Sequence, residues 1–154
     1  MANVVPFAFP VELLKGSHDF ANDNYNLALY TANPWVNEAG AQAATVYITT
    51  SEVSAGGSSQ YTARGNLLTG NAVSNVSNVA TVDFTNTVWG DPAPLATFSA
   101  AYAVLFNVTD GDKVVVLLDF LGTKSCSNGT FTITFPSPTA GAPSGSDALL
   151  SITS

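Results

Sequence analysis

The chain has 154 residues; 46% are hydrophobic and only 10% charged, with 4 basic against 11 acidic side chains and a formal charge of -7. Ordinary domains carry about 25% charged residues. Here Ser, Thr, Asn and Gly supply the polarity, which excludes both a large helical bundle and a disordered chain.

Residues 1–16 read as an N-terminal arm with a short helix. Pro10 is placed at the first helical position of a turn or two through Leu14, and Gly16 is the stop. Residues 17–154 read as a single domain. Tyr25, Leu27 and Leu29 alternate with Asn26 and Ala28, the period of a strand. Pro34 and Gly40 bracket a loop. Thr45 to Thr50, rich in β-branched residues, predicts a strand, and Ser54–Ser59 a flexible tip.

Residues 79–84 alternate as a strand, which Thr87–Trp89 are expected to continue before Gly90, Asp91 and Pro92 end it. The run 97–107 places Phe98, Tyr102, Val104 and Phe106 on one register. Asp110-Gly111 then joins it to 114–120, a strong hairpin signal. Asn128-Gly129 precedes an alternating strand at Phe131, Ile133 and Phe135. A Pro, Gly, Ser-rich loop follows over 136–146, and 148–153 close as a last strand. No βαβ rhythm occurs. The pattern predicts an all-β fold: a single antiparallel β-sandwich or jelly roll with long loops.

Chemistry-bearing residues are few. His18 is the only histidine and Cys126 the only cysteine, and both sit in polar, turn-like surroundings. No Gly-x-Ser-x-Gly elbow exists, so no catalytic residue is assigned. A glycosidase pair among Glu12, Glu38, Glu52, Asp83, Asp91 and Asp119 has no motif behind it. Asp19, Asn22, Asp23 and Asn24, and then Asp110 and Asp112, could hold calcium, yet they match no calcium loop and are common turn formers. No cofactor or metal is expected. Asn75, Asn107 and Asn128 each begin a glycosylation tripeptide, as chance allows in an Asn/Ser/Thr-rich chain.

Lys15, Arg64, Lys113 and Lys124 are scattered singly, so neither a nucleic-acid stripe nor a polybasic membrane patch is expected. The apolar runs fall far short of the roughly 20 residues of a membrane helix, and Met1–Val5 does not read as a secretory leader. Most aromatic residues fall in strand patterns and read as core. Trp35, in a loop beside Pro34, reads equally as an interface anchor or as a cover folded under its own loop.

An ordered set of segments runs through the chain: Leu13-Leu14-Lys15-Gly16-Ser17-His18-Asp19, Tyr25–Thr31, Thr50-Ser51-Glu52-Val53, Val82-Asp83-Phe84 with Thr87-Val88-Trp89, and Ala103–Asn107. Another runs from Leu117-Leu118-Asp119-Phe120 through Lys124 to Ser127–Thr134. Together they resemble a family of small virion proteins from tailed bacteriophages, and this last segment is the strongest match. The chain departs from the family at Ala63-Arg64-Gly65 and at Leu121-Gly122-Thr123, which touches local loop geometry.

The resemblance implies a capsid cement or decoration protein on the outer surface of the virion, bound to the major capsid protein as a homotrimer, without enzymatic activity. The expected partner-interface residues are Phe7, Phe9, Trp35, Tyr61 and Arg64. A tail or head–tail connector component is the alternative placement. A carbohydrate-binding β-sandwich is the alternative of another class; it predicts exposed Trp and Tyr on one face with calcium loops, and is favoured if Trp35 and Tyr61 face solvent.

Overall fold

The computed structural model describes residues 2–76, 79–135 and 150–153. Of these, 42% are strand and 11% helix, and every sheet is antiparallel, giving an all-β, sandwich-like fold. In chain order the elements are helix α1 (Ala8–Leu14), strand β1 (Tyr25–Tyr30), helix α2 (Glu38–Gln42) and a 3-10 turn (Gly57–Ser59). Then come β2 (Asn66–Leu67), β3 (Ala72–Val76), β4 (Val79–Asp83), β5 (Thr87–Trp89), β6 (Ala96–Asn107), β7 (Lys113–Gly129), β8 (Phe131–Ile133) and β9 (Leu150–Thr153). The predicted loop at 136–146 lies outside the described residues.

The main sheet has the order β2-β1-β6-β7. Strand period two splits its apolar side chains between two faces. Tyr25, Leu27 and Leu29 point to one face, where they meet Val82, Phe84, Trp89 and Phe131 from the smaller sheets β3-β4-β9 and β5-β8. Ala28 and Tyr30 point to the other, where Val4, Ala41, Trp35 and Tyr47 cover them. Both faces of the sheet are therefore buried, which explains the near-continuous apolar runs in β6 and β7.

Five expectations need correction. Phe98 does not share a face with Tyr102, Val104 and Phe106. The β6–β7 register slips between Ala100 and Tyr102, so the parity of β6 inverts there. Phe98 and Ala100 join Ala103 and Leu105 on the first face, while Val104 and Phe106 line the second. Residues 45–50 form no strand: only Val46 bridges to Lys113, because this segment merely caps the start of β7. Residues 87–89 do not extend β4; they pair with β8 in a separate sheet. The loop between Pro34 and Gly40 contains the start of α2, whose cap residue Asn37 accepts a hydrogen bond from Gly40 N at 2.9 Å.

Finally, α1 begins two residues before Pro10. Proline is tolerated there because first-turn N–H groups have no intrahelical partner. Gly16 does end the helix, at φ 76°. Gly16 N donates to Leu13 O and Ser17 N to Glu12 O, a Schellman closure.

The predicted hairpin is present. Its connection spans 108–112, with Gly111 at φ 66° and Asp112 at φ 62°. Residues 2–4 run beside β7: Val4 and Leu117 exchange both backbone hydrogen bonds at 2.8 Å, and Asp119 N donates to Asn3 Oδ1.

Candidate functional site

The densest polar cluster is built around Glu52. The segment 51–53 pairs with the end of β1, with Thr31 N donating to Ser51 O and Val53 N to Leu29 O. This holds the Glu52 carboxylate over the sheet edge. Tyr61 Oη donates to Glu52 Oε1 at 2.8 Å, Arg64 N to the same oxygen at 2.6 Å, and Tyr47 Oη to Oε2. Tyr61 Oη in turn accepts from Leu29 N at 2.9 Å. Burial first, and then the Glu52 carboxylate, push the Tyr61 and Tyr47 hydroxyls far above the usual phenol range, so both stay protonated donors.

Arg64 closes the cluster. Its guanidinium makes two bonds to Asp112 and lies 5.2 Å from the Tyr47 ring centroid and 5.4 Å from that of Phe106. The chemistry here is a lock: one carboxylate and one guanidinium tie residues 47–64 to β1 and to the β6–β7 turn.

The acidic turns are likewise engaged. Asp19 accepts from Ala21 N and Asn22 Nδ2, which holds its carboxyl below the usual range. Asp23 accepts from Asp19 N and from Asn107 Nδ2, and Asp110 from Lys113 Nζ. Among the described residues no group of three or more His, Cys, Asp or Glu side chains is placed to hold a metal ion. Asn107 is fully buried and also bonds Ser17 O, Thr109 N and Asp110 N, so it is no glycan acceptor in the folded chain.

His18 and Cys126 are not brought together. His18 is buried against Phe9, Phe20 and Tyr25, with Nε2 3.3 Å from Glu12 Oε2. Cys126 lies on β7, its thiol directed at Phe98 O.

The predicted interface residues separate. Phe9 is 7% and Tyr61 2% exposed, so both are core side chains and offer no surface anchor. Phe9 is carried inward by helix α1 and Tyr61 by the loop before β2. Trp35 is half-buried against the second core face, and Arg64 is committed to Asp112. Phe7 alone stands mostly in solvent. Tyr61 does not face solvent, so the exposure that would favour the sugar-binding reading is not met at that residue. Sequence reasoning missed Glu52 as the hub, although Tyr47, Glu52, Tyr61 and Arg64 sit within eighteen positions of each other.

An open groove of about 670 Å³ lies where β1, β6 and β7 diverge, lined by Thr31, Val36, Ser51, Tyr102, Asp119 and Thr123 among others. Val36 stands at φ 69° on its rim, and the nearby Leu121 at φ 55°; both are exposed apolar residues in a region that favours glycine. No helix among the described residues is long and apolar enough to cross a membrane. Compared with protein-family models, curated proteins and solved structures, the chain matches none.

Proposed function

We propose that this chain is a non-enzymatic structural protein of a tailed-phage virion, a cement or decoration protein that binds the outside of the major capsid protein shell as a homotrimer. The observation that carries this reading is how the chain distributes its groups. Its Tyr–Glu–Arg–Asp cluster is spent on tying loops to the sheet, while Phe7, Val11, Leu14, Val36 and Leu121 stand outside. A catalyst has the reverse arrangement, with polar groups converging on a cavity. The ordered sequence segments from Leu13 to Thr134 that resemble small phage virion proteins support the same reading.

Cementing needs no chemistry. A protein that binds only the assembled lattice shifts the assembly equilibrium towards it by mass action. A surface with few charges limits repulsion between crowded copies, and the net charge of -7 disfavours contact with packaged DNA, which suits the outer face.

Copy number per purified particle, by quantitative mass spectrometry, tests this. A count in the hundreds, comparable with the capsid subunit, supports a shell protein. A count of about six or twelve, the ring symmetries of a tail or connector, moves it there. Absence from particles overturns the reading.

A further inference from the structure

Helix α1 is seven residues long, and Phe9 is its one buried side chain. A helix this short does not hold together in water by itself, so its attachment decides whether it forms. That attachment runs through one residue of the following loop, His18. The Phe9 ring lies 5.0 Å from the His18 ring, and the Glu12 carboxylate 3.3 Å from His18 Nε2. Phe20 gives Phe9 a second ring contact at 6.3 Å, and Leu13 adds a partly buried side chain.

The other side of the His18 ring is firmly held. Ser17 accepts from Asn107 Nδ2 at its carbonyl and from Lys113 Nζ at its hydroxyl, both at 3.0 Å. Phe20 and Tyr25 are core residues stacked 4.7 Å apart. The His18 side chain has no exposed surface, and Nδ1 has no hydrogen-bond partner among the described residues. A neutral ring is thus wedged between a rigid floor and a weakly held helix. A second proton would go to Nδ1, which has no acceptor to receive it, and an unpaired buried charge is costly.

The charges around the ring do not remove that cost. Glu12 of α1 favours the protonated ring, and so does Asp110 of the 108–112 turn. Lys113 of β7 opposes it, and its Nζ already pairs with Asp110 at 2.6 Å. Asp19 and Asp23, in the same loop, are bonded to Asn22 and Asn107. Tyr25 of β1 stays neutral, its hydroxyl pushed far above the usual phenol range by burial. Burial outweighs Glu12, so the His18 pKa lies below 6.5 while α1 is seated. Once α1 lifts, water reaches the ring and His18 titrates as an ordinary histidine. The open form therefore takes up the proton first, and opening grows as pH falls below about 6.5.

We propose that α1 is a pH-sensitive flap: protonation of His18 frees residues 8–14 from the core while β1, β6 and β7 stay folded. Val4, paired with Leu117, and Ser17, bonded to Asn107, anchor its two ends. The device stands apart from the virion reading and holds whatever the chain binds.

Amide exchange of the full chain tests this, read residue by residue by NMR at pH 7 and pH 5 and corrected for the intrinsic pH dependence of exchange. The reporters are the amides of Lys15, Gly16 and Ser17, which donate to the carbonyls of Val11, Leu13 and Glu12. The reference is the Leu29 amide in β1. Reporter protection should fall severalfold from pH 7 to pH 5, up to about 25-fold, the ceiling set by an ordinary histidine. It should also stay at least about tenfold below that of Leu29 and barely respond to ~1 M urea, because freeing one helix exposes little surface. His18→Phe keeps the ring and the bulk without a titrating nitrogen, so its reporters should be equally protected at both pH values. Glu12→Gln removes the nearest carboxylate that favours the protonated ring, so its fall should be larger, up to the same ceiling.

Reporter protection that is independent of pH, or that falls equally in His18→Phe, overturns the proposal. Reporters that match Leu29 in protection and in urea response also overturn it, and leave His18 acting on global stability alone. If His18→Phe does not fold, the parent decides: the fall must follow the titration of the His18 ring resonances, and a midpoint elsewhere overturns the proposal.

Discussion

Tyr61 donates its hydroxyl to Glu52 and receives the Leu29 amide in return, so one buried phenol joins a loop carboxylate to the central strand β1. Glu52 also takes the Tyr47 hydroxyl and the Arg64 amide. Glu52→Ala therefore strands three donors at once. The expected loss is about 2–4 kcal/mol, since each buried group left unpaired costs ~1–3 kcal/mol and some will find water. Glu52→Gln should lose less, because an amide oxygen still accepts from Tyr61 and Arg64 while its NH2 can donate to Tyr47 Oη. Urea unfolding monitored by tryptophan fluorescence separates the two. A loss below 0.5 kcal/mol for Glu52→Ala, the usual scale of a ~neutral surface change, would remove Glu52 from the centre of the lock.

The strand order of the hairpin, the helix stop at Gly16 and the all-β class were legible because each is written in local chemistry: period two, an Asp-Gly pair, a glycine after an apolar turn. What was not legible depends on events far along the chain. The parity of β6 inverts at Ala101 because β7 runs out through residues 120–123 between its pairings with Tyr102 and Ala100. Nothing near Phe98 announces that, beyond two small residues where a bulge fits. Phe9 and Tyr61 read as anchors because they lie outside the strand pattern. Their burial comes from helix α1 and the loop before β2 closing onto a two-faced sheet. Arg64 found its partner 48 positions away, at Asp112.

His18 gives the fold a pH dependence with a definite sign. Burial lowers its pKa from 6.5, against the opposing pull of Glu12. Nε2–H faces Glu12, and Nδ1 has no hydrogen-bond partner among the described residues, so protonation would place an unsatisfied N–H among the Phe9, Phe20 and Tyr25 rings. The unfolded chain takes up the proton first, at its ordinary pKa. The His18 contribution is thus complete above pH ~6.5 and is lost progressively as pH falls below it, down to the folded-state value. Urea midpoints should drop between pH 7 and pH 5. His18→Phe should flatten that slope, leaving the acid loss from Asp19 and Asp110, whose carboxyls are held low, at more acidic pH. An identical slope in the variant would reject His18 as the source.

Gly111 isolates backbone strain from packing. It sits at φ 66°, and a Cβ built there meets nothing within 4 Å. Gly111→Ala should cost about 1–2 kcal/mol through the left-handed conformation alone, and Gly111→Val more, since a β-branched side chain resists it further. Gly111→Asn should be nearly neutral by comparison. A denaturation midpoint for Gly111→Val equal to that of the parent would show that the 108–112 turn takes another conformation in solution.

Gly65 combines the same backbone need with a closed space. It stands at φ 70°, and an added Cβ would fall onto the Leu27 carbonyl and against Ala28 Cα, the backbone of the central strand. Neither atom is the end of a flexible side chain, so β1 or β2 must move. That movement would pull Asn66 away from its bonds to Thr87 Oγ1 and Val88 O, and Arg64 N away from Glu52. Strain of about 1–2 kcal/mol and overpacking of about 1–3 kcal/mol add at one site, so Gly65→Ala should exceed Gly111→Ala by at least ~1 kcal/mol. The comparison is direct, because the two glycines share a φ within a few degrees and differ in surroundings. Equal losses at the two positions would mean that β2 does not lie against β1 as closely as its register implies.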